Sequence, residues 1–119
     1  MTAHSLAFAD LLQCAAEPDR LSWETLRPGV QFHALYGTPG AGPAAALLRY
    51  APGALVPEHR HTDYEHILVL HGSQHDADGH YPAGTLLVSP PDSRHAVASD
   101  EGCVVLAIWS APIEFGADP

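Results

Sequence analysis

Glycine and proline interrupt this chain so often after residue 28 that no long helix fits between them. The segments GTPGAGP, APGALVP, HDADGHYPAG, SPPDS and SDEG consist largely of turn-forming residues. The runs between them are short and apolar, which is typical of strands. The runs predicted as strands are residues 30–36, 44–50, 67–70, 85–88, 95–98 and 104–109. Short strands at regular spacing, with no helical segment between them, predict an all-β antiparallel sandwich or barrel.

The first 25 residues follow a different pattern. Four apolar residues have the spacing of one helix face, namely Phe8, Leu11, Leu12 and Ala15. Pro18 is expected to end this helix. We therefore predict an arm or short helix within residues 1–25, packed on the barrel or on a partner subunit. Residues 26–119 are predicted to form one barrel domain, because 119 residues is an ordinary length for a single domain.

The composition argues against several classes of function. All 5 basic residues are arginine, against 14 acidic residues, and the formal net charge is −9. This balance argues against nucleic-acid binding, and the absence of lysine excludes Schiff-base chemistry. No apolar run is long enough to cross a bilayer, and the N-terminal segment lacks the early positive charge of a signal peptide. Cys14 and Cys103 form no CxxC motif, so we expect a reduced, cytoplasmic protein.

Nine histidines in so short a chain require an explanation. In the stretch GALVPEHRHTDYEHILVLHG, His59 and His61 are two residues apart, so an extended chain places both imidazoles on one face. Glu65 follows at an even spacing and shares that face. A carboxylate inside a barrel needs a partner, and neutral imidazoles with a carboxylate are suitable ligands for a divalent metal.

A second stretch, GTLLVSPPDSRHAVAS, supplies a fourth candidate ligand. His95 begins a predicted strand that follows a Pro-Pro turn. If that strand lies beside the first, three imidazole nitrogens and one carboxylate oxygen face a common point and leave positions open for water or substrate. Zinc, iron, manganese, nickel and copper all accept this donor set, which does not select among them.

These two stretches resemble the two motifs of the cupin superfamily. The first motif is matched at every defined position, by Gly53, His59, His61, Glu65 and Gly72. The second is matched at Gly84, Pro90 and His95, but Asp92 and Ser99 stand where the family usually has glycine and asparagine. These departures bear on the conformation of the loop more than on the metal ligands. The resemblance implies a single-domain jelly-roll barrel, a double-stranded β-helix, with the metal inside one end.

Residues 26 to 115 are similar to the cupin-like domain of ChrR-type anti-sigma factors and their stand-alone relatives. The resemblance implies a divalent metal, zinc in the anti-sigma factors, held by the residues matching His59, His61, Glu65 and His95. Those factors also carry a sigma-binding domain with a His-x3-Cys-x2-Cys zinc motif. Here His4 and Cys14 are isolated, so binding to a sigma factor is not expected. Other stand-alone cupins with this ligand set are dioxygenases, such as the acetylacetone-cleaving enzyme.

Two functional hypotheses remain open. The chain is either a metal-dependent dioxygenase acting on a small β-diketone-like substrate, or a sensor whose metal site reports a ligand or an oxidant. The metal-free sugar epimerases form a weaker third class, whose catalytic His–Asp pair and tyrosine have no assigned counterpart here. The positions predicted to face inward are mostly Ile, Val, Leu and Ala, which favours a small apolar substrate or none.

Three further expectations concern single residues and assembly. Arg49 either reaches the pocket to hold an anionic substrate or pairs with surface acids, and Cys103 is either a buried packing residue or a redox-responsive thiol. His66 alternates with Glu65 and should point outward. The apolar face of residues 8–15 and the open edges of a barrel predict a homodimer to which the N-terminal segment contributes.

Overall fold

The computed structural model describes residues 3–115. Residues 1–2 and 116–119, at the ends of the predicted arm and barrel, lie outside this range. A short helix α1 (Leu11–Ala16) and a 3-10 turn (Pro18–Arg20) precede ten strands. The strands are β1 (Glu24–Arg27), β2 (Val30–Tyr36), β3 (Ala44–Tyr50), β4 (Ala54–His61), β5 (Glu65–Asp76), β6 (Gly79–Pro82), β7 (Leu86–Ser89), β8 (Arg94–Ser99), β9 (Cys103–Trp109) and β10 (Ile113–Phe115).

All strand pairs are antiparallel, and the sheet curls into a jelly-roll barrel. One side has the order β1-β2-β3-β9-β5, with β7 pairing the first half of β5. The other side runs through the second half of β5 to β6 and β8, and then to β4 and β10. The long strand β5 therefore belongs to both sides of the barrel. This confirms the predicted all-β jelly-roll barrel with a short N-terminal helix.

The strand boundaries depart from the sequence prediction in several places, and in β4, β5 and β6 a proline or glycine lies inside the strand. β2 and β3 have the predicted bounds, but β1, β4, β6 and β10 were not predicted. β4 was read as turn material because it contains Pro57, which lies at a register shift between Val56 and His59. Proline is tolerated at such an irregularity because no ladder hydrogen bond is lost there. The hairpin of β5 and β6 turns at residues 77–78 alone, so the predicted long turn was too long.

Strands β3 and β9 form the regular part of the apolar core. Their register runs without a shift from Ala44 opposite Trp109 to Tyr50 opposite Cys103. Alternate residues of both strands point into the barrel, where they pack against Val30, Val56, Ile67, Val69 and Val97. Burying this apolar surface supplies the main driving force for the fold.

The N-terminal segment covers part of the outer face of the same sheet. Ala15 is fully buried against Leu47 and Val104, with Leu11 and Trp23 packed around them. The helix begins at Leu11, three residues later than the predicted face, and Phe8 and Leu12 are 44% and 70% exposed. The segment therefore packs on its own barrel, which is one of the two predicted arrangements. Two of the four residues of the predicted helix face remain exposed.

Register shifts in β4 and β5 reverse which residues face inward. In β5 the shift falls between Val69 and His71, so Gly72 lies opposite the inward-facing Cys103. Bulges of this kind re-aim side chains next to functional sites. Gly72 has φ +76, and a Cβ built there would approach the carbonyl oxygen of Gly102 to 2.2 Å. Only glycine fits at this point of the strand.

Candidate metal centre

The four predicted ligands come together inside one end of the barrel. They come from β4, β5 and β8, and are His59, His61, Glu65 and His95. One donor atom from each lies within 4.8 Å of the others. His61 is 1% exposed and Glu65 is 5% exposed. The pairing of His59 with His95 across β4 and β8 brings the second motif to the first.

The Nδ1 atom of each histidine is held by a partner away from the centre. His59 Nδ1 lies 2.9 Å from the carbonyl oxygen of Pro57, and His95 Nδ1 lies 3.2 Å from Asp76 Oδ2. Both partners accept, so both Nδ1 atoms donate. His61 Nδ1 lies 2.9 Å from Ser93 Oγ and 3.1 Å from the Ser93 carbonyl oxygen. Ser93 Oγ donates to another carbonyl, so it accepts from His61.

These contacts fix the tautomers and leave three Nε2 lone pairs around a carboxylate. His61 Nε2 lies 3.0 Å from Glu65 Oε1. A neutral imidazole whose proton is on Nδ1 cannot donate to that oxygen, so a cation is needed between the two acceptors, either a proton or a metal. Nitrogen and carboxylate donors suit borderline divalent metals, and orienting partners on Nδ1 are typical of metal-binding histidines. The donor set therefore fits a divalent metal ion.

Glu65 is held on its second oxygen by Trp109. The indole Nε1 donates to Glu65 Oε2 at 2.5 Å. Burial raises the pKa of Glu65, but His61, when its Nε2 carries a proton, and the Trp109 indole both donate to the carboxylate, outweigh burial and hold that pKa below its ordinary value. Burial lowers the pKa of His59 more than its bond to Pro57 raises it. The ionised carboxylate and the neutral imidazole are both the metal-binding forms.

Asp76 is a site residue that the sequence analysis missed. Its side chain is 4% exposed and accepts from His95 and from the Tyr81 hydroxyl at 2.8 Å. Burial raises the pKa of Asp76, but hydrogen bonds from Tyr81, the Asp78 amide and His95 hold it below its ordinary value. The sequence reads this segment as turn material, and in the structure it forms a tight hairpin in which the Asp78 amide donates to Asp76 Oδ1. The bulge in β5 is what turns Asp76 inward, and Gly72 is the only sequence signal for it.

A cavity of about 330 Å³ opens onto the cluster. His59, Glu65 and His95 line it at one end. Most of its wall is apolar, and includes Val30, Leu48, Val56, Ile67, Val97 and Ile113. The volume is at the lower end of the range for small-molecule sites. The arrangement can admit a small molecule to the open side of a metal ion.

The two departures from the second motif are accommodated locally. Asp92 adopts φ +73, the left-handed conformation that glycine adopts readily and that Asp tolerates better than most residues. Its amide donates to the carbonyl oxygen of His61 at 2.8 Å, and its carboxylate accepts from Arg60. Ser99 is fully buried and donates to the carbonyl oxygen of Ser73 at 2.6 Å. The loop therefore keeps a glycine-like conformation with Asp in place.

Arg49 lies apart from the cluster. It faces the outside of β3, where its guanidinium lies 3.1 Å from Asp19 Oδ1 and beside the Trp23 ring. It does not line the cavity, so the expected pairing with a surface acid is the one present. His66 lies on the outer side, stacked with Tyr64. Cys103 is buried in the core without a disulfide, and burial raises its pKa to about 11.

A jelly-roll barrel with three inward histidines and a glutamate at one end defines a cupin. A family model narrows this class: the ChrR cupin-like domain matches residues 13–111. The chain belongs to this family.

Two matches to ChrR agree with this family assignment. Over 98 residues it is 34% identical to the anti-sigma-E factor ChrR of Cereibacter sphaeroides, covering 80% of this chain and 45% of that protein. The crystal structure of Rhodobacter sphaeroides SigE in complex with the anti-sigma ChrR matches with a TM-score of 0.66 at 30% identity, over 75% of this chain and 49% of that one. The chain thus spans about half the length of ChrR.

An acetylacetone dioxygenase from Acinetobacter johnsonii matches over 99% of this chain and 80% of its own length, with a TM-score of 0.74. The identity is 12%, so this likeness concerns the fold. Among residues 3–115, no helix is long and apolar enough to cross a bilayer.

Proposed function

We propose that the chain binds one divalent metal ion through His59, His61, Glu65 and His95 and acts on a small molecule in the adjoining cavity, as a dioxygenase-like enzyme. One observation carries the proposal: His61 Nε2 and Glu65 Oε1, both acceptors, face each other at 3.0 Å, and Glu65 also lines an apolar cavity. A buried pair of acceptors is costly unless a cation lies between them.

The chain's own residues prepare the site in three ways. The Nδ1 partners orient the imidazoles, and Trp109 holds Glu65 so that one oxygen faces the cluster. The apolar wall excludes water, which strengthens electrostatic interactions within the site. A bound divalent metal supplies a Lewis acid for substrate oxygens, and iron also supplies the redox chemistry of dioxygenases.

A second candidate function is a metal-binding sensor or regulatory domain. The sequence similarity to an anti-sigma factor, at 34% identity, favours it, whereas the dioxygenase likeness is confined to the fold. In this alternative the same cavity receives a ligand or oxidant without turnover. The crystallised sigma-factor complex is one of ChrR, and this chain spans about half the length of that protein.

The proposal also covers the domain bounds, the oligomeric state and the cellular location of the chain. Residues 1–25 act as an arm and residues 26–119 as the barrel, and two copies associate as a homodimer through the arm and the neighbouring outer face. The exposed apolar side chains of Leu12, Leu86 and Val88 support this association. A cytoplasmic location is supported by the two free, buried cysteines.

Elemental analysis of protein purified without added metal is the first test, and we expect about one metal ion per chain. Oxygen consumption is then measured with the iron-loaded protein and acetylacetone. Iron in the isolated protein together with oxygen uptake supports the enzyme. Zinc with saturable binding and no oxygen uptake by any metal form supports the sensor. A wild-type protein that retains no metal and takes up none on reconstitution contradicts the proposal.

A further inference from the structure

Gln74 is a buried polar residue whose acceptor has no partner. It is 2% exposed and lies on β5, two residues before Asp76 on the inward face. Its side chain lines the cavity together with His59, Glu65 and His95. Oε1 finds no hydrogen-bond partner among residues 3–115. Buried amides are normally satisfied, so an unpaired one facing a cavity indicates a group that arrives with a ligand.

Arg27 brings a positive charge to the same cavity. It is half-buried at the end of β1, and its guanidinium carbon lies 4.5 Å from the centre of the Phe115 ring. That ring is 5.6 Å from the ring of His59, so Phe115 lies between Arg27 and the metal cluster. Arg27 has no ion pair within residues 3–115, whereas Arg20, Arg49 and Arg60 each contact a carboxylate there.

We propose that the cavity binds a small organic anion, with its carboxylate against Arg27 and a hydrogen-bonding group against the Gln74 amide. This proposal rests on the proposed function, because it assigns the ligand of the same cavity. An arginine that lines a cavity and has no ion pair within residues 3–115, in a chain of net charge −9, suits an anion, since a guanidinium matches a carboxylate with parallel hydrogen bonds.

The other residues of the cavity wall limit the size and polarity of the ligand's carbon skeleton. Val30, Val56 and Val97 line the same cavity as Arg27 and Gln74, and their side chains suit a short carbon skeleton. The Gln74 amide offers a donor and an acceptor, so it recognises a carbonyl or a hydroxyl. An oxo acid of a few carbons meets all three requirements. The sequence had favoured an apolar substrate or none, because Arg27 was unassigned and Gln74 was not predicted to face inward.

The test uses two probes of equal size, acetoacetate and acetylacetone. They differ in one end, which is a carboxylate in the first and a methyl ketone in the second. Isothermal titration of the full-length protein, with its metal content measured, gives both dissociation constants. We expect acetoacetate to bind about tenfold more tightly, since a charge-assisted pair is worth roughly that ratio.

Variants separate the two contacts. Arg27→Gln should remove the preference for acetoacetate, and Arg27→Lys should restore part of it. Arg20→Gln removes the same charge from the outer surface and should keep the preference. Gln74→Leu should weaken acetoacetate binding about tenfold without lowering Tm or metal content, because it removes an unpaired buried group.

Equal affinity for the two probes, or an unchanged preference in Arg27→Gln, overturns the inference while leaving the metal site intact. A Gln74→Leu protein with lower Tm and unchanged binding shows a structural glutamine and overturns that contact. If the wild-type protein holds no metal, the proposed function fails. The anion site is then decided by the same titrations on metal-free protein, since neither Arg27 nor Gln74 belongs to the donor set.

Discussion

Strands β3 and β9 differ from β4 and β5 in regularity. The first pair keeps a continuous register over seven residues, and its inner face carries small or apolar side chains together with Tyr50 and Trp109. β4 and β5 each contain a register shift, and between them they carry three of the four candidate ligands. Regular alternation of inward and outward side chains builds the apolar core in β3 and β9. The register shifts in β4 and β5 change which side chains point inward, next to the candidate metal centre.

The interruptions have a simple geometric effect. In β4 the inward positions change from Val56 to His59, which is an odd spacing, and in β5 they change from Val69 to Gly72. A strict period of two would turn either the core residues or the site residues outward. The bulges therefore let one strand serve both the core and the site.

His61→Ala should have the largest effect on the metal site that β4 and β5 form. The substitution removes one of four candidate metal donors, and with it the group that helps to hold a cation beside the buried Glu65 carboxylate. We expect metal content to fall at least tenfold and Tm to fall with it, because metal binding contributes to the free energy of folding. Elemental analysis and thermal unfolding measure the two effects.

Two control variants separate effects on the metal site from effects on the apolar core. His66→Ala removes an imidazole on the outer face of β5 and should leave metal content unchanged. Val105→Ala removes buried methyl groups from β9 and should cost about 2 kcal/mol of unfolding free energy without lowering the metal stoichiometry. Full metal occupancy in His61→Ala would contradict the assignment of that ligand, and metal loss in Val105→Ala would show that the two regions are not separable.

Acidification should release the metal ion from the site before it unfolds the apolar core. The pKa of His59 is lowered by burial, and that of Glu65 is lowered against burial by His61 and Trp109. Both groups bind protons less readily in the folded state, so both contribute stability at neutral pH that is lost on acidification. The loss begins below about pH 6.5 for His59 and below about pH 4.3 for Glu65.

We therefore expect metal release to steepen below about pH 6, with more than one proton taken up per metal released. A colorimetric chelator follows the metal, and a pH-stat titration counts the protons. A release curve that stays flat to pH 4 would be incompatible with three histidine ligands.

Asp76→Asn should have an intermediate effect. Asparagine keeps the size of the side chain but loses the charge that accepts from His95 Nδ1, so the imidazole is less well oriented. Such outer partners typically change metal affinity by about 10- to 100-fold. Competition with a chelator of known affinity measures the change. Asp78→Asn in the same hairpin is the control, and equal affinity in the two variants would mean that Asp76 only shapes the turn.

Removing residues 1–17 should affect assembly and stability but not the metal. The deletion exposes Leu47 and Val104 on the outer face and removes the exposed Phe8 and Leu12. We expect a weaker dimer and a lower Tm with unchanged metal content. Phe8→Ser with Leu12→Ser leaves the buried Ala15 in place and should weaken only the dimer. Light scattering that gives a monomer mass for the full-length protein at micromolar concentration would refute the dimer.

Sequence patterns predicted the regular strands well and the bulged ones poorly. β2 and β3 have the predicted bounds because alternation and flanking turns agree there. β4 was missed because Pro57 reads as a turn, and β5 was predicted as four residues of its twelve. The four candidate ligands were still identified, and the structure brings them together, because their spacing in the motif does not depend on strand bounds. Asp76, Gln74 and Arg27 were not, because their placement depends on a bulge and on long-range packing that local patterns do not contain.

The pairing of β4 with β8 also determines when the site forms. His59, His61 and Glu65 are close in sequence, but His95 joins them only after the chain has passed through β5, β6 and β7. The unfolded chain therefore presents an incomplete donor set, and closure of this long loop is among the slow steps of an antiparallel barrel. The metal ion therefore stabilises the protein only after β4 and β8 have paired. We expect bound metal to slow unfolding and to leave the folding rate nearly unchanged. Stopped-flow measurements on the metal-bound and metal-free protein test this expectation.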